Sequence, residues 1–261
     1  CSDDGFAIYN WQNDSAFKPL IKNNTIIPAG YTSGIRAGGA DILDNSITGD
    51  MSGSSSWGSW FQEEYMHGIY SENDNNVIKG NIITNYENGI KAEYVNNTLI
   101  DSNYIQVFRR GVYGRESDQL VITNNTIQAD QNTIIYTSQG ASTIKYNLLV
   151  TNSGRGIHCE DQAGIEFSNN TIISNSSGDY GIHISNLSAP IVSNNIIQGF
   201  QNGIYAENSL VNYALSYNNL WQITGNMFDG SAMPPLIGDP ISLNGNGDVS
   251  DIYGNINLDP D

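Results

Sequence analysis

One short word returns along this chain at nearly fixed distance. It reads NNTII at residues 23–27, NNTLI at 96–100, NNTIQ at 124–128, NNTIIS at 169–174 and NNIIQ at 194–198. The asparagines that open the copies are Asn24, Asn45, Asn81, Asn103, Asn125, Asn147, Asn170, Asn195 and Asn219, at intervals of 21, 36, 22, 22, 22, 23, 25 and 24 residues. A second landmark runs in step with them: Gly34-Ile35, Gly68-Ile69, Gly89-Ile90, Gly111-Val112, Gly156-Ile157, Gly181-Ile182 and Gly203-Ile204, with Ile134-Ile135 in the remaining place. A period of this length means that each copy is one structural unit that buries its apolar side against the next.

Within a copy, apolar residues alternate over short runs, as in Leu120-Val121-Ile122 and Ile165-Glu166-Phe167, and Asn, Gly and Ser separate the runs. That is strand periodicity with turn punctuation. Three short strands per 22 residues fit one coil. Coils stacked as parallel strands about 4.8 Å apart would make nine of them a rod roughly 40 Å long. A leucine-rich repeat of similar length would need a Leu consensus that is absent. The Asn word fits a corner: asparagine readily adopts the left-handed conformation a sharp bend needs, and its amide can bond to the asparagine one coil away.

With these repeats the chain resembles the right-handed parallel β-helix superfamily, in particular the pectin-lyase-like proteins and the carbohydrate-binding and sugar hydrolysis repeats, over about residues 5 to 221. The resemblance implies an all-β fold, a right-handed parallel β-helix solenoid of about nine coils of about 22 residues. For function it implies a range: polysaccharide lyases, glycosidases, epimerases, adhesins and tailspikes share the fold. The paired-Asp motifs of polygalacturonases and the YGFDPH-type motif of mannuronan epimerases are absent, so no catalytic residue carries over from those families.

Composition removes other classes. Ten Lys and Arg against 27 Asp and Glu give a net charge of −17, which repels nucleic acid and anionic lipid headgroups alike. Two cysteines cannot build a disulfide framework, and no Cys/His metal spacing is present. No apolar run approaches the roughly 18 residues of a membrane span, which argues against direct membrane insertion. The opening CSDDG resembles a processed lipoprotein N-terminus, in which Cys1 would carry a lipid anchor; the other reading is that a fragment begins there. The final GNINLDPD lacks a terminating element, so the natural chain is expected to be longer. Residues 1–221 are expected to form the β-helix, and 222–261 an irregular segment covering its open end. In that segment Asn244, Asn246, Asp248 and Asp251 have oxygens spaced somewhat like a calcium loop, but the closing Glu is missing, which favours a polar turn. Calcium is therefore the one cofactor with any candidate donors.

Alternation in the Gly-Ile strand sets the outward side chains. The Ile points inward, as does the residue two further on; Cys159 falls there and is expected to be a core filler. Outward lie Arg36, Tyr70, Lys91, Tyr113, Tyr136, His158, His183 and Tyr205, followed by a row holding Glu72, Glu93, Arg115, Glu160 and Glu207. With Arg109, Arg110, Arg155 and His67 nearby, the face gathers most of the scarce cations and all three histidines. Flat rings and hydrogen-bonding tips together suit sugar rings. The interval of 36 places an insertion at 50–66, DMSGSSSWGSWFQEEYM, whose aromatics would wall a cleft or pack on the rod.

The expected function is an extracellular or cell-surface domain that binds an acidic polysaccharide, with lyase-like β-elimination favoured, if it is catalytic, over glycoside hydrolysis, for which Glu72, Glu93, Glu116, Glu160 and Asp161 are the available carboxylates. Lys91, Tyr113, Arg115 and His158 are the candidate catalytic residues, being the types that neutralise a carboxylate and move protons. Trp57, Trp60, Tyr70, Glu72, Glu93, Arg110, Tyr136, Arg155, Glu160 and His183 are the candidate binding residues. Two readings compete. One is a solvated ladder in which Lys91 pairs with Glu72 or Glu93, and Arg115 with Glu93 or Glu116. The other is a structural or adhesive rod with no chemistry.

Overall fold

The computed structural model describes residues 6–10, 18–28, 32–50, 66–162, 164–186, 190–207, 214–231 and 233–260. Among them the chain forms strands and turns and no helix. Each coil carries three strands. One coil runs Asn88–Glu93, Leu99–Asp101 and Tyr104–Val107, and the next begins at Arg110–Arg115. Strands from successive coils pair in parallel, giving three faces. The first contains His67–Glu72, Asn88–Glu93, Arg110–Arg115, Thr133–Gly140 and Arg155–Gln162. The second is a nine-stranded sheet from Leu20–Lys22 to Ala214–Ser216. The third includes Tyr104–Val107, Thr126–Ala129 and Leu148–Thr151. Near the C-terminal end the strands Thr171–Ser185 and Ile196–Glu207 run unbroken from the third face onto the first.

The period of the sequence is the pitch of this coil. Ile35, Ile69, Ile90, Val112, Ile135, Ile157, Ile182 and Ile204 pair in one register and are fully buried. Similar aliphatic columns rise from the other faces, such as Ile78, Ile100, Ile122 and Ile144 on the second and Ile83, Ile105, Ile127 and Leu149 on the third. The Gly landmark has a packing cause. A Cβ on Gly111 would lie 2.1 Å from Ile127 Cγ2, and one on Gly89 would lie 2.4 Å from the Gly111 carbonyl oxygen.

The corner divides between two residues the work that sequence reading gives to one. The residue before each ladder asparagine takes the left-handed conformation: Asn23, Asp44, Ser102, Asn124, Tyr146, Asn169, Asn194 and Tyr217, with φ between 53° and 58°, and the glycines Gly80 and Gly254, with φ of 68° and 80°. The asparagine after it builds the ladder. Asn125, for example, donates through Nδ2 to Asn147 Oδ1 (3.0 Å) and the Ile100 carbonyl (3.0 Å), while its Oδ1 accepts the Asn103 backbone N–H (2.9 Å) and Nδ2–H (3.0 Å). The last expected member is corrected: Asn218, not Asn219, continues the ladder, and it donates onward to Asn255. NNTLI at 96–100 is out of phase with the other copies, since Leu99–Asp101 lies in the second sheet and Asn97 makes the turn before it.

The ordered register also runs past Trp221. Phe228–Asp229 pairs with Ile204 and Tyr205, and Ile256 bridges to Asn219. Asp251, buried, accepts the Asn255 backbone N–H and Nδ2–H (both 2.9 Å), together with the N–H groups of Tyr253 and Gly238. Asn244 Oδ1 likewise accepts the N–H groups of Asn246 and Asp248. The oxygens spaced like a calcium loop thus serve as turn acceptors.

Candidate functional site

On the first face the parallel register turns the outward positions into three adjacent rows. The middle row is Tyr9, Arg36, Tyr70, Lys91, Tyr113, Tyr136, His158, His183 and Tyr205, each beside the next. Upstream lie His67, Asn88 and Arg110, then Thr133 and Arg155, then Tyr180 and Asn202. Downstream lie Glu93, Arg115, Ser138, Glu160, Ser185 and Glu207.

In the N-terminal half these rows close on themselves. Arg36 meets Glu72 at 2.5 Å and lies 5.0–5.5 Å from the ring centres of Phe6, Tyr9 and Tyr70; the hydrogen bond to Glu72 raises its pKa. Lys91 Nζ is 3.0 Å from Glu93 Oε2 and 4.9 Å from the Tyr70 ring centre. Arg115 reaches Glu93 at 3.3 Å and Glu116 at 3.4 Å, and Arg109 reaches Glu87 at 3.5 Å. Tyr70 donates its hydroxyl to Glu93 at 3.3 Å, and burial pushes that hydroxyl's pKa up. Lys91, expected to project into solvent, has a side chain only 3% exposed. The reason is the pitch: Tyr70 and Tyr113 flank it one strand spacing away on either side, and their rings are wide enough to cover it.

Toward the C-terminal end the rings stack along the rod. Tyr113 and Tyr136 are parallel at 5.2 Å, His158 meets Tyr136 edge-on at 5.4 Å, and His158 and His183 are stacked at 4.3 Å with an interplanar angle of 5°. Arg110 lies 5.0 Å from the Tyr113 ring centre, and Arg155 lies 5.8 Å from that of Tyr180. Arg155 Nη1 is 3.3 Å from His158 Nδ1. A guanidinium only donates, so Nδ1 accepts and the neutral ring carries its proton on Nε2. That Nε2 faces Glu160 Oε2 at 3.8 Å, while Tyr136 donates its hydroxyl to Glu160 Oε1. One coil on, His183 Nε2 is 3.4 Å from Glu207 Oε1, and Tyr205 donates to Glu207 Oε2 at 3.2 Å.

Burial, then the neighbouring His183, Arg155 and Arg110, pushes the pKa of His158 from its usual 6.5 down to about 3. Burial lowers His183 as well, because this ring, expected to face solvent, is buried in the row. Both imidazoles are therefore neutral near pH 7. Cys159 sits fully buried behind this row beside Thr137, and burial pushes its thiol up, in keeping with a core filler.

The structure thus gathers Arg110, Tyr113, Tyr136, Arg155, His158, Glu160 and His183 on one surface, and separates from it a closed network of Tyr70, Glu72, Lys91, Glu93 and Arg115. Trp57 and Trp60, with the rest of residues 51–65, lie outside the described residues. Tyr180, Tyr205 and Glu207 join the site although they were not among the candidates. Their signal was available in the period, because Glu207 follows Tyr205 as Glu160 follows His158 two coils earlier. Among the described residues no group of three or more His, Cys, Asp or Glu is arranged to hold a metal ion.

A family model described as right-handed beta helix region matches residues 5–172. The chain belongs to this right-handed β-helix family. The parallel coil above is therefore the family's fold, in agreement with the right-handed β-helix expected from the repeats. Among solved structures the β-helix is similar to PfbA, a surface adhesin of Streptococcus pneumoniae, at 14% identity, covering 92% of this chain and 71% of that one with a TM-score of 0.63. A family 28 exopolygalacturonase of Yersinia enterocolitica matches at 12% identity, covering 78% and 45% with a TM-score of 0.43. DFA-IIIase from Arthrobacter chlorophenolicus A6 matches at 13%, covering 98% and 67% with a TM-score of 0.44. No curated protein matches the sequence. At these identities the likeness is one of fold.

Proposed function

We propose that this β-helix is an extracellular domain that binds a polysaccharide along its first face, centred on Arg155, His158, Glu160, Tyr180, His183, Tyr205 and Glu207. One observation carries the reading: neutral imidazole and phenol rings alternate there with exposed carboxylates and a guanidinium, in rows that repeat at the strand spacing. Such a surface offers apolar patches to sugar C–H groups and both donors and acceptors to hydroxyls. A chain of sugars lying along the rod would meet the same chemistry at each coil.

The lyase chemistry expected from sequence carries an added requirement. Elimination from a uronate needs positive charge on the substrate carboxylate, and Lys91 and Arg115 already share Glu93. A uronate would have to displace Glu93 from both, so binding stands ahead of elimination, and the C-terminal half, whose Glu160 and Glu207 side chains are 37% and 39% exposed, stands ahead of the N-terminal one, whose Glu72 and Glu93 side chains are 15% and 10% exposed. Affinity electrophoresis against neutral and uronic polysaccharides, with ultraviolet detection of unsaturated product, tests both points. Retarded migration without unsaturated product is expected; migration unaffected by every polymer would remove the reading. The alternative, an adhesive or structural rod, is favoured by the unbroken asparagine ladder, and it predicts no retardation by glycans.

A further inference from the structure

The third face differs from the other two in its charge. Nine strands pair in turn there from Thr25–Ile26 to Asn219–Trp221, with the register unbroken across the outward positions. Those positions form two rows. One passes through Ile82, Tyr104, Thr126 and Leu148, and the other through Thr84, Gln106, Gln128 and Val150. Among the described residues neither row holds a charged side chain from one end of the face to the other. By contrast, the strands of the second sheet carry Asp41, Lys79, Asp101, Lys145 and Glu166, and those of the first carry the ion pairs described above. In a chain of net charge −17, solubility favours charge on every exposed surface, so its absence here marks a surface kept for contact. Ile82, Tyr104 and Leu148 are exposed on it, among threonine hydroxyls and glutamine amides.

These rows specify a partner. It is uncharged, because a charge brought against this surface would lose water and meet no counter-charge. It offers hydroxyls to the Thr and Gln tips and C–H surface to Ile82, Tyr104 and Leu148, repeatedly along the rod. A second copy of the chain, docked through the same face, meets the first condition but is short of area. Strands of three residues are about 10 Å wide, and nine of them span about 40 Å, which gives roughly 400 Å², about half of what each partner contributes to a stable protein complex. A packed neutral polysaccharide is already ordered, so a smaller contact suffices: the rows meet a rigid surface, and little chain entropy is lost on binding.

We propose that the third face adsorbs the packed surface of a neutral polysaccharide, leaving the first face clear for a separate ligand. The inference stands on the two rows of the third face and does not rest on the glycan reading of the first. Adsorption without ion pairs is insensitive to ionic strength, whereas Arg155 and Glu160 give binding on the first face a dependence on salt.

The test mixes the full chain with microcrystalline cellulose and with chitin particles, and measures the protein left in solution at about 0.1 M and about 1 M salt. Retention by at least one polymer, equal at both salt concentrations, is expected. Thr126→Lys and Thr126→Glu each place a charge in the middle of the face, and both should lower the partition constant about tenfold or more, whichever sign is added. Thr143→Lys, which adds the same charge on the second sheet, should bind as the parent does. All three changes lie at solvent-facing positions and should keep the parental melting temperature. Gln128→Lys, in the neighbouring row, repeats the test should either Thr126 variant unfold. Retention by neither polymer, retention released by salt, or parental binding in the charged third-face variants would overturn the assignment. So would concentration-dependent association of the soluble parent chain that Thr126→Lys abolishes, because it would give the face to a second copy.

Discussion

Lys91 shows how a strand-alternation argument succeeds and fails on one residue. Its direction was legible, since it follows an inward Ile90, but its exposure was not: burial there depends on the width of Tyr70 and Tyr113 in neighbouring coils. Its ion pair is correspondingly consequential. Lys91→Ala should cost about 1.5–3 kcal/mol, because Glu93 would be left partly buried with one cation fewer while Arg115 and the Tyr70 hydroxyl still reach it. Urea unfolding at pH 7 would measure it, and parental stability would contradict the burial argument. His158 makes a second residue-level prediction with a sign fixed by linkage. The unfolded chain takes up a proton on this ring below about 6.5, whereas the folded chain resists until about 3, so the contribution of His158 to stability falls as pH drops through that window. The difference in melting temperature between the parent and His158→Gln should therefore shift in favour of the variant between pH 7 and pH 4.5. A difference that does not move with pH would mean the ring is well solvated.

At the scale of elements, the ladder is a row of amide dipoles that all point the same way. Each asparagine donates toward the C-terminal end and accepts from the other side, so the final donors, on Asn255, need an acceptor that is not another asparagine. Asp251 supplies two carboxylate oxygens to them, much as an acidic residue caps the first turn of a helix. Asp251→Asn replaces one acceptor oxygen with a donor, and should release the segment 238–258 while leaving the coils before Asn218 ordered. Amide hydrogen exchange would show faster exchange confined to that segment; protection unchanged throughout would contradict the capping role. The period of the ladder was plain in the sequence because it is written in one residue type. Its last step was hidden because 37 residues separate Asn218 from Asn255, and no repeat word marks the return. The left-handed corner residue was equally obscured, since Asp44, Ser102, Tyr146 and Tyr217 share a conformation and no chemistry.

For the whole molecule, the excess of acid and the gathering of cations on one face have a single arrangement. Arg36, Lys91, Arg109 and Arg115 are neutralised by Glu72, Glu93, Glu87 and Glu116, so the cations that drew attention in the sequence largely staple the N-terminal half of the first face. What the sequence made legible was the fold, the inward columns and the face; which half of that face is open depended on pairings across coils that spacing alone does not rank. The account's central claim is that a glycan sits on the C-terminal half. Its most direct test is the affinity of one polysaccharide, bound by the parent chain, for two variants: Arg155→Ala with Tyr180→Ala together, and Arg115→Ala alone. The first should lose about tenfold or more in affinity, roughly 1.4 kcal/mol, and the second should bind within about twofold of the parent. The opposite order, with Arg115→Ala losing affinity and the Arg155 and Tyr180 variant keeping it, would contradict the claim.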